Sequence, residues 1–319
     1  MKNLLDINNI IKNPIEDIIG QEPAKYQIKS ALIASRHILI IGSPGIGKTT
    51  IAKNISKLLT KKKDKESFIR VQGSPDLTVE DIIGDIDPIK AMKYGPMSIE
   101  AFSPGKIFKA DQGILFFDEI NRAPEKLQNT LLQALQEKKV TIGSYDVDID
   151  VNFILIATMN PEDINTQKLS YVLLDRFDVI YMDYPKNTKE EYDIVVKSAQ
   201  DLINVNKLTK KDQDMNKKLL HYFIEFVREI RENDLLLHKP SPRASIGLYE
   251  RAQSNALLSK RKAPDFQDYR DALNSVLKHR IELKPSAKIK TNPDEFLDKE
   301  FNKYTEKHPD SNIVKDHST

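Results

Sequence analysis

The sequence contains no cysteine, which removes disulfides, thiolate metal sites and cysteine nucleophiles together. It also lacks long hydrophobic runs. The longest apolar stretches, 38–41 and 114–117, fall far short of the ~20 residues that span a bilayer, so no membrane insertion is expected. At the amino terminus, apolar residues are interleaved with Asn, Asp and Lys, and the uninterrupted apolar region of a secretion signal is missing. A cytoplasmic protein is expected. Neither sign of charge dominates: 49 basic against 47 acidic residues leave a formal charge of +2. No global field is available to hold a polyanion, so nucleic acid is not an implied partner.

With 319 residues, 39% of them hydrophobic and 30% charged, the chain has the composition of a folded globular protein and the length of about two domains. Over residues 1–185, short β-branched or aromatic runs alternate with amphipathic segments, as in a parallel sheet covered by helices. Runs at 37–41, 68–71, 113–117, 153–158 and 178–182 predict five strands of one α/β sheet. Ile51, Ala52, Ile55, Leu58 and Leu59 share one helical face, with Lys53, Asn54, Ser56 and Lys57 around the rest. Two stretches read as insertions. Residues 73–109 are rich in Pro and Gly, and residues 138–152 alternate around Gly143 and Ser144 like a projecting hairpin. Beyond 185 the strand signals stop, and helical periods at 190–205, 216–230, 243–258 and 265–277 predict a smaller helical domain over 186–284. Residues 285–319 are charged, polar and interrupted by Pro285, Pro293 and Pro309, which reads as a flexible tail.

The run His37-Ile38-Leu39-Ile40-Ile41 leads directly into Gly42-Ser43-Pro44-Gly45-Ile46-Gly47-Lys48-Thr49-Thr50 and then into the amphipathic helix. The G-x-x-x-x-G-K-T pattern therefore sits in the strand, loop and helix context that a P-loop requires. Its glycines let backbone N–H groups wrap round an anion, and the following helix start adds partial positive charge. ATP is the expected ligand. Lys48 would reach the β and γ phosphates, and the Thr49 hydroxyl would ligate Mg²⁺.

A second apolar strand ends in Asp118-Glu119, two carboxylates at the sheet edge where open α/β folds bind ligands. Asp118 would hold Mg²⁺ and Glu119 would orient and deprotonate the attacking water. Asn160, in Ala157-Thr158-Met159-Asn160-Pro161, could meet the γ-phosphate or that water from a third strand. His37, His221, His238 and His279 have no ligand spacing.

These motifs, in this order, resemble an AAA+ ATPase, and their wording resembles the MoxR branch and the magnesium-chelatase ATPase subunit. The resemblance runs from residue 14 to about 283. It is carried by Asp17-Ile18-Ile19-Gly20-Gln21-Glu22, Phe117-Asp118-Glu119-Ile120-Asn121-Arg122-Ala123-Pro124, Ala157-Thr158-Met159-Asn160-Pro161, Leu174-Asp175-Arg176-Phe177 and Ser241-Pro242-Arg243-Ala244. It implies an adenine pocket at Gly20 and Gln21, a sensor role for Asn160, and an arginine of the helical lid, Arg243, on phosphate. It further implies that Arg176, with Arg122 as the alternative, reaches the neighbouring subunit's ATP in a ring, usually a hexamer. Met159, Lys239-Pro240 and Ser170-Tyr171-Val172-Leu173 depart from the family's usual wording without removing a residue that handles ATP.

The leading expectation is a ring ATPase that remodels a protein client, with a von Willebrand A-type partner implied by the resemblance. A magnesium-chelatase-type subunit and a nucleic-acid motor are the alternatives. Asp146, Asp148 and Asp150 in the hairpin would repel a phosphate backbone. A scaffold that binds ATP without turnover is a third reading, opposed by the intact Glu119 and both arginines.

Overall fold

The computed structural model describes residues 7–13, 15–57, 68–95, 98–142, 147–161, 163 and 169–308. Two compact units are present. One contains the chain up to Ser43 and Gly47–Asp183, and the other Tyr184 onward together with Pro44–Ile46.

The first unit is built on five parallel strands: β1 (His37–Ile41), β2 (Phe68–Gln72), β3 (Ile114–Asp118), β4 (Ile154–Met159) and β5 (Phe177–Tyr181). Their order is β2-β3-β4-β1-β5. β3 is buried along its whole length, as are four residues of β1 and five of β4, which is why these runs are continuously apolar rather than alternating. The register pairs Gln72 with Asp118 and Phe117 with Ala157, so the carboxyl ends of β2, β3 and β4 finish side by side.

Helices α1 (Glu22–Ile33), α2 (Lys48–Ser56) and α3 (Glu125–Glu137) belong to the same unit. Ile51, Ala52 and Ile55 of α2 are buried as expected, whereas Leu58, Leu59 and the lysines after them lie outside the described residues. Asn54, expected on the open side, is buried and donates from Nδ2 to the Thr50 carbonyl at 2.9 Å. The first insertion forms helices Val79–Ile83 and Pro88–Tyr94 and an antiparallel pair, Gly84–Ile86 with Phe102–Pro104. Ile82, Ile83, Phe102 and Ile107 join the core under the sheet, so this stretch is partly core rather than all surface loop. Lys139–Ile142 pairs antiparallel with Val147–Asp150. The tip of that hairpin, with Gly143, Ser144 and Asp146, lies outside the described residues.

The second unit packs five longer helices: α4 (Thr188–Ser198), α5 (Lys210–Arg231), α6 (Pro242–Leu258), α7 (Phe266–Leu277) and α8 (Pro293–Lys307). Side chains of Asn187, Thr209, Asp265 and Asn292 cap α4, α5, α7 and α8. The flexible tail expected from residue 285 is corrected here. Helix α8 inserts Phe296, Leu297, Phe301 and Tyr304 into the core of the unit, against Tyr222, Phe223, Phe226 and Phe266. Those apolar residues recur at helical spacing on one face of a helix that is otherwise charged, so average composition concealed an amphipathic helix. Residues 309–319 lie outside the described ones.

Candidate active site

Strand β1 delivers the chain to Gly42, and residues 42–49 turn into α2. Gly45 and Gly47 adopt φ of 80° and 102°, left-handed values open to glycine at no steric cost. Lys48 is buried, and its ammonium donates to the Gly42 carbonyl and, at 2.9 Å, to the Ser43 carbonyl. The positive end is thus folded onto the loop that would surround a phosphate. Pro44 and Ile46 complete the loop, with Ile46 buried; Thr50 follows on the exposed side of α2. Within the second unit, a Cβ built on Gly45 would stand 2.5 Å from Ser241 Oγ and 3.1 Å from Arg243 Cδ. Arg243 itself is exposed, in the first turn of α6.

Asp118 closes β3, and three other segments converge on its carboxylate. Thr49 donates from Oγ1 to Oδ2 at 3.1 Å, Arg70 of β2 to Oδ2 at 2.8 Å, and Thr158 of β4 to Oδ1 at 2.6 Å. Thr158 is fully buried, and its hydroxyl also accepts the Glu119 N–H at 2.9 Å. One hydroxyl therefore fixes both the carboxylate and the direction in which the chain leaves the strand.

That direction is unusual, because Glu119 is left-handed at φ 55° and ψ 52°, a region costly for a side chain with a Cβ. Its carboxylate Oε2 accepts from Gln72 Nε2 at 3.0 Å and lies 3.1 Å from Arg122 NH1. The close approach of β2 depends on Gly73. A Cβ there would fall 2.1 Å from the Glu119 carbonyl, while the Gly73 N–H donates to the Asp118 carbonyl at 2.7 Å. Arg122 is held from its other side by Asp163, Nε to Oδ2 at 2.7 Å. The hydrogen bond to Asp163 raises the guanidinium above its ordinary pKa, with Glu119 adding to the effect.

Asn160 follows β4 immediately, and its carbonyl accepts from Asn121 Nδ2 at 3.2 Å. Gly20 and Gln21 are both left-handed, at φ 66° and 60°, and Gln21 Nε2 donates to the Asp183 carbonyl at 2.5 Å, just beyond β5. Thr49, Gln72, Asp118, Glu119, Asn160 and Gln21 stand at the carboxyl edge of the sheet. Arg176 does not. It immediately precedes β5, whose first residue pairs with His37 at the start of β1, so it lies at the opposite edge. Five strand residues, ~17 Å, separate the two edges. Arg176 is exposed, and Asp178, a potential partner, pairs instead with Arg36 at 3.0 Å.

Two relations were not foreseen from sequence: the Gln72 and Gly73 contacts with the Asp118-Glu119 turn, and the Arg70 and Thr158 bonds to Asp118. For Thr158 the signal was a lone hydroxyl in an Ile, Leu and Ala strand. For Gln72-Gly73 there was only the position at a strand end. No group of three or more His, Cys, Asp or Glu suited to a metal occurs among the described residues. The Thr49 hydroxyl and Asp118 carboxylate nevertheless form the hard-oxygen pair that suits Mg²⁺, an ion that keeps most of its waters and takes few protein ligands.

The ATPase family associated with various cellular activities matches residues 37–179, and the AAA lid domain matches residues 228–300. The chain belongs to the AAA+ ATPases. The AAA+ match spans β1 through β3 to the middle of β5, so it contains the P-loop, Asp118, Glu119 and Asn160. Similar proteins place the chain in the MoxR and magnesium-chelatase branch. It is 28% identical to chaperone MoxR1 of Mycobacterium tuberculosis, over 83% of this chain and 73% of that one. It is 26% identical to a magnesium-chelatase subunit ChlI homolog of Methanocaldococcus jannaschii, over 85% and 86%. An uncharacterized Bacillus subtilis protein, YeaC, is 28% identical over 89% and 90%. A RuvB variant of Thermotoga maritima shares the AAA+ fold at 21% identity and a TM-score of 0.54, over 82% of this chain and 72% of that one. This AAA+ protein binds and hydrolyses ATP. No helix among its described residues is long and apolar enough to cross a membrane.

Proposed function

We propose that the chain is a MoxR-like AAA+ ATPase that works as a ring, with hexameric assembly the expected form, and couples ATP hydrolysis to remodelling of a protein partner in the cytoplasm. The observation that carries this reading is the separation of two arginine-bearing edges. Glu119 is caged at the carboxyl edge by Gln72 and Arg122, while Arg176 is exposed at the amino edge, remote from its own chain's Glu119. An arginine so placed serves another subunit's nucleotide. Such a guanidinium is worth ~10³ to 10⁵ in rate where it stabilises phosphoryl transfer.

In this reading Thr49 and Asp118 would hold Mg²⁺, which would supply positive charge against the negative charge developing on the phosphate. Lys48 leaves its loop carbonyls for the β and γ phosphates. Glu119 takes a proton from the attacking water as the water oxygen bonds to the γ-phosphorus. The bond to the bridging oxygen breaks, and ADP departs with that electron pair. Asn160 positions the γ-phosphate or the water, Gln21 and Gly20 border the adenine, and Arg243 contacts phosphate. Loss of the γ-phosphate would remove contacts from both Arg243 and Arg176, giving the conformational cycle a physical cause. The similarity to MoxR1, a named chaperone, supports a protein client, with a von Willebrand A-type partner as the specific form. Asp148 and Asp150, exposed on the hairpin, disfavour a nucleic-acid track.

ATP turnover per subunit, measured against protein concentration in a nucleic-acid-free preparation, tests the reading. Specific activity should rise with concentration and fall by ~10³ or more in Arg176→Ala. Activity that is flat and indifferent to the substitution would refute the shared site, and tight single-stranded DNA binding with a steep salt slope would favour a nucleic-acid motor.

A further inference from the structure

The helical unit contains a polar cluster that ATP handling, as described above, leaves unused. Glu191 of α4 is fully buried, and Arg231, at the end of α5, is only 2% exposed. They pair bidentately, NH1 to Oε2 at 2.8 Å and NH2 to Oε1 at 2.9 Å. Ser245 of α6 donates to Glu191 Oε1 at 2.7 Å. The third guanidinium donor of Arg231, Nε, reaches the Pro240 carbonyl at 2.8 Å, and the guanidinium carbon lies 4.7 Å from the centre of the Tyr184 ring. Arg228, one turn earlier, adds a longer contact to Glu191 at 3.3 Å and donates to the Pro185 and Lys186 carbonyls at 2.8 and 3.0 Å.

Such a cluster is a poor device for stability alone, since apolar side chains of equal volume often serve as well as a buried ion pair. What it provides is fixed geometry at two places. One is the segment by which the chain enters the unit, 184–186. The other is the start of α6, gripped on both sides of Arg243: at Pro240, three residues before it, and at Ser245, two residues after. Burial opposes ionisation of Glu191, but the Arg231 hydrogen bonds and charge, with Ser245 and Arg228, more than offset it and hold the carboxyl below its ordinary pKa. The cluster is therefore charged and fully paired when folded. Arg243 itself is exposed, and the cationic Arg280 nearby, whose pKa is lowered by burial and then by Arg243, repels it. Its direction must be set by the backbone that carries it.

We propose that Glu191 and Arg231 are positioning residues for Arg243, locking the entry segment 184–186 and the start of α6 into one body so that the arginine moves with the chain that enters the lid. This rests on the reading of Arg243 as a nucleotide contact. Three variants of the full chain test it: Arg243→Ala, Glu191→Gln and the double substitution, each assayed for kcat, KM for ATP and thermal unfolding. Arg243→Ala lowers kcat/KM, and Glu191→Gln lowers it about tenfold, the weight of one hydrogen bond to a charged group. The double variant is then no worse than Arg243→Ala alone, a non-additivity that general loosening would not produce. Where Glu191→Gln fails to fold, Ser245→Ala replaces it and gives a smaller loss with the same non-additivity. Unchanged kcat/KM in Arg243→Ala overturns the nucleotide-contact reading and the inference with it. A fall in Arg243→Ala beside an unchanged kcat/KM in the cluster variant, or losses that multiply in the double variant, overturns the inference alone.

Discussion

The two units place their polar groups in opposite ways. In the α/β unit, Asp118, Glu119, Gln72, Arg122 and Thr49 gather at the end of the sheet, several of them half-exposed and bonded by contacts that a ligand can replace. In the helical unit, Glu191 and Arg231 are sealed among helices and satisfied by fixed partners. Their cores differ too: Ile, Leu and Ala dominate around the sheet, while Phe and Tyr rings from three helices, α5, α7 and α8, meet in the other unit. The contrast teaches that charge at a strand end is there to be exchanged, and charge between helices is there to hold a shape.

The sharpest separation of these roles comes from Glu119→Gln. Turnover should drop by ~10² to 10⁴, the usual weight of a general base, while thermal unfolding of the α/β unit stays unchanged; unfolding displaced by several degrees would place Glu119 with the structural charges. Glu191→Ala should do the reverse. It strands Arg231 in the interior and costs about 3–5 kcal/mol, read as a lower melting temperature of the helical unit. The same pair gives a pH signature. Because the folded Glu191 pKa lies below its unfolded value, its contribution is complete above the unfolded pKa and is lost as pH falls through the folded one. Chemical denaturation at a series of acidic pH values should show that loss in the native chain and not in Glu191→Ala.

Phe301→Ala tests the aromatic core and should cost about 3–5 kcal/mol, again confined to the helical unit. The smallest effect is expected at His37, which accepts the Leu155 N–H on Nδ1 at 3.0 Å. Burial, reinforced by Arg36 and Lys138, lowers its pKa from 6.5 to about 4. The folded state holds it neutral, so its contribution is complete above pH 6.5 and lost as pH falls toward 4. His37→Leu should flatten that stretch of the stability profile of the α/β unit and cost about 1 kcal/mol at neutral pH for the unpaired N–H.

Much of the catalytic edge was legible because local sequence and local structure coincide there. A buried strand followed by G-x-x-x-x-G-K-T leaves few alternatives, and Ile114 to Phe117 announces where Asp118-Glu119 must stand. The five strands were placed to within a residue or so for the same reason: continuous apolar runs are compulsory inside a covered parallel sheet. What escaped was set by neighbours distant in sequence. Gln72 and Thr158 meet the Asp118-Glu119 turn from opposite sides only because β3 lies between β2 and β4, an order no single segment encodes. The bidentate pairing of Glu191 with Arg231 spans forty residues of chain. Helix α8 escaped for a different reason, since its four core residues are diluted by Lys, Glu and Asp, and averaging hid their spacing.

That last helix bears on how the protein survives in a cell. A chain that stops before Pro293, through a nonsense mutation or a protease cut, would uncover Phe223, Phe226 and Phe266 as one contiguous greasy surface, while leaving every nucleotide-handling residue in place. Exposed apolar patches of that kind invite self-association, and quality control acts on them before any enzymatic defect is felt. The shortened product would be cleared or aggregated although its ATP-handling residues are intact.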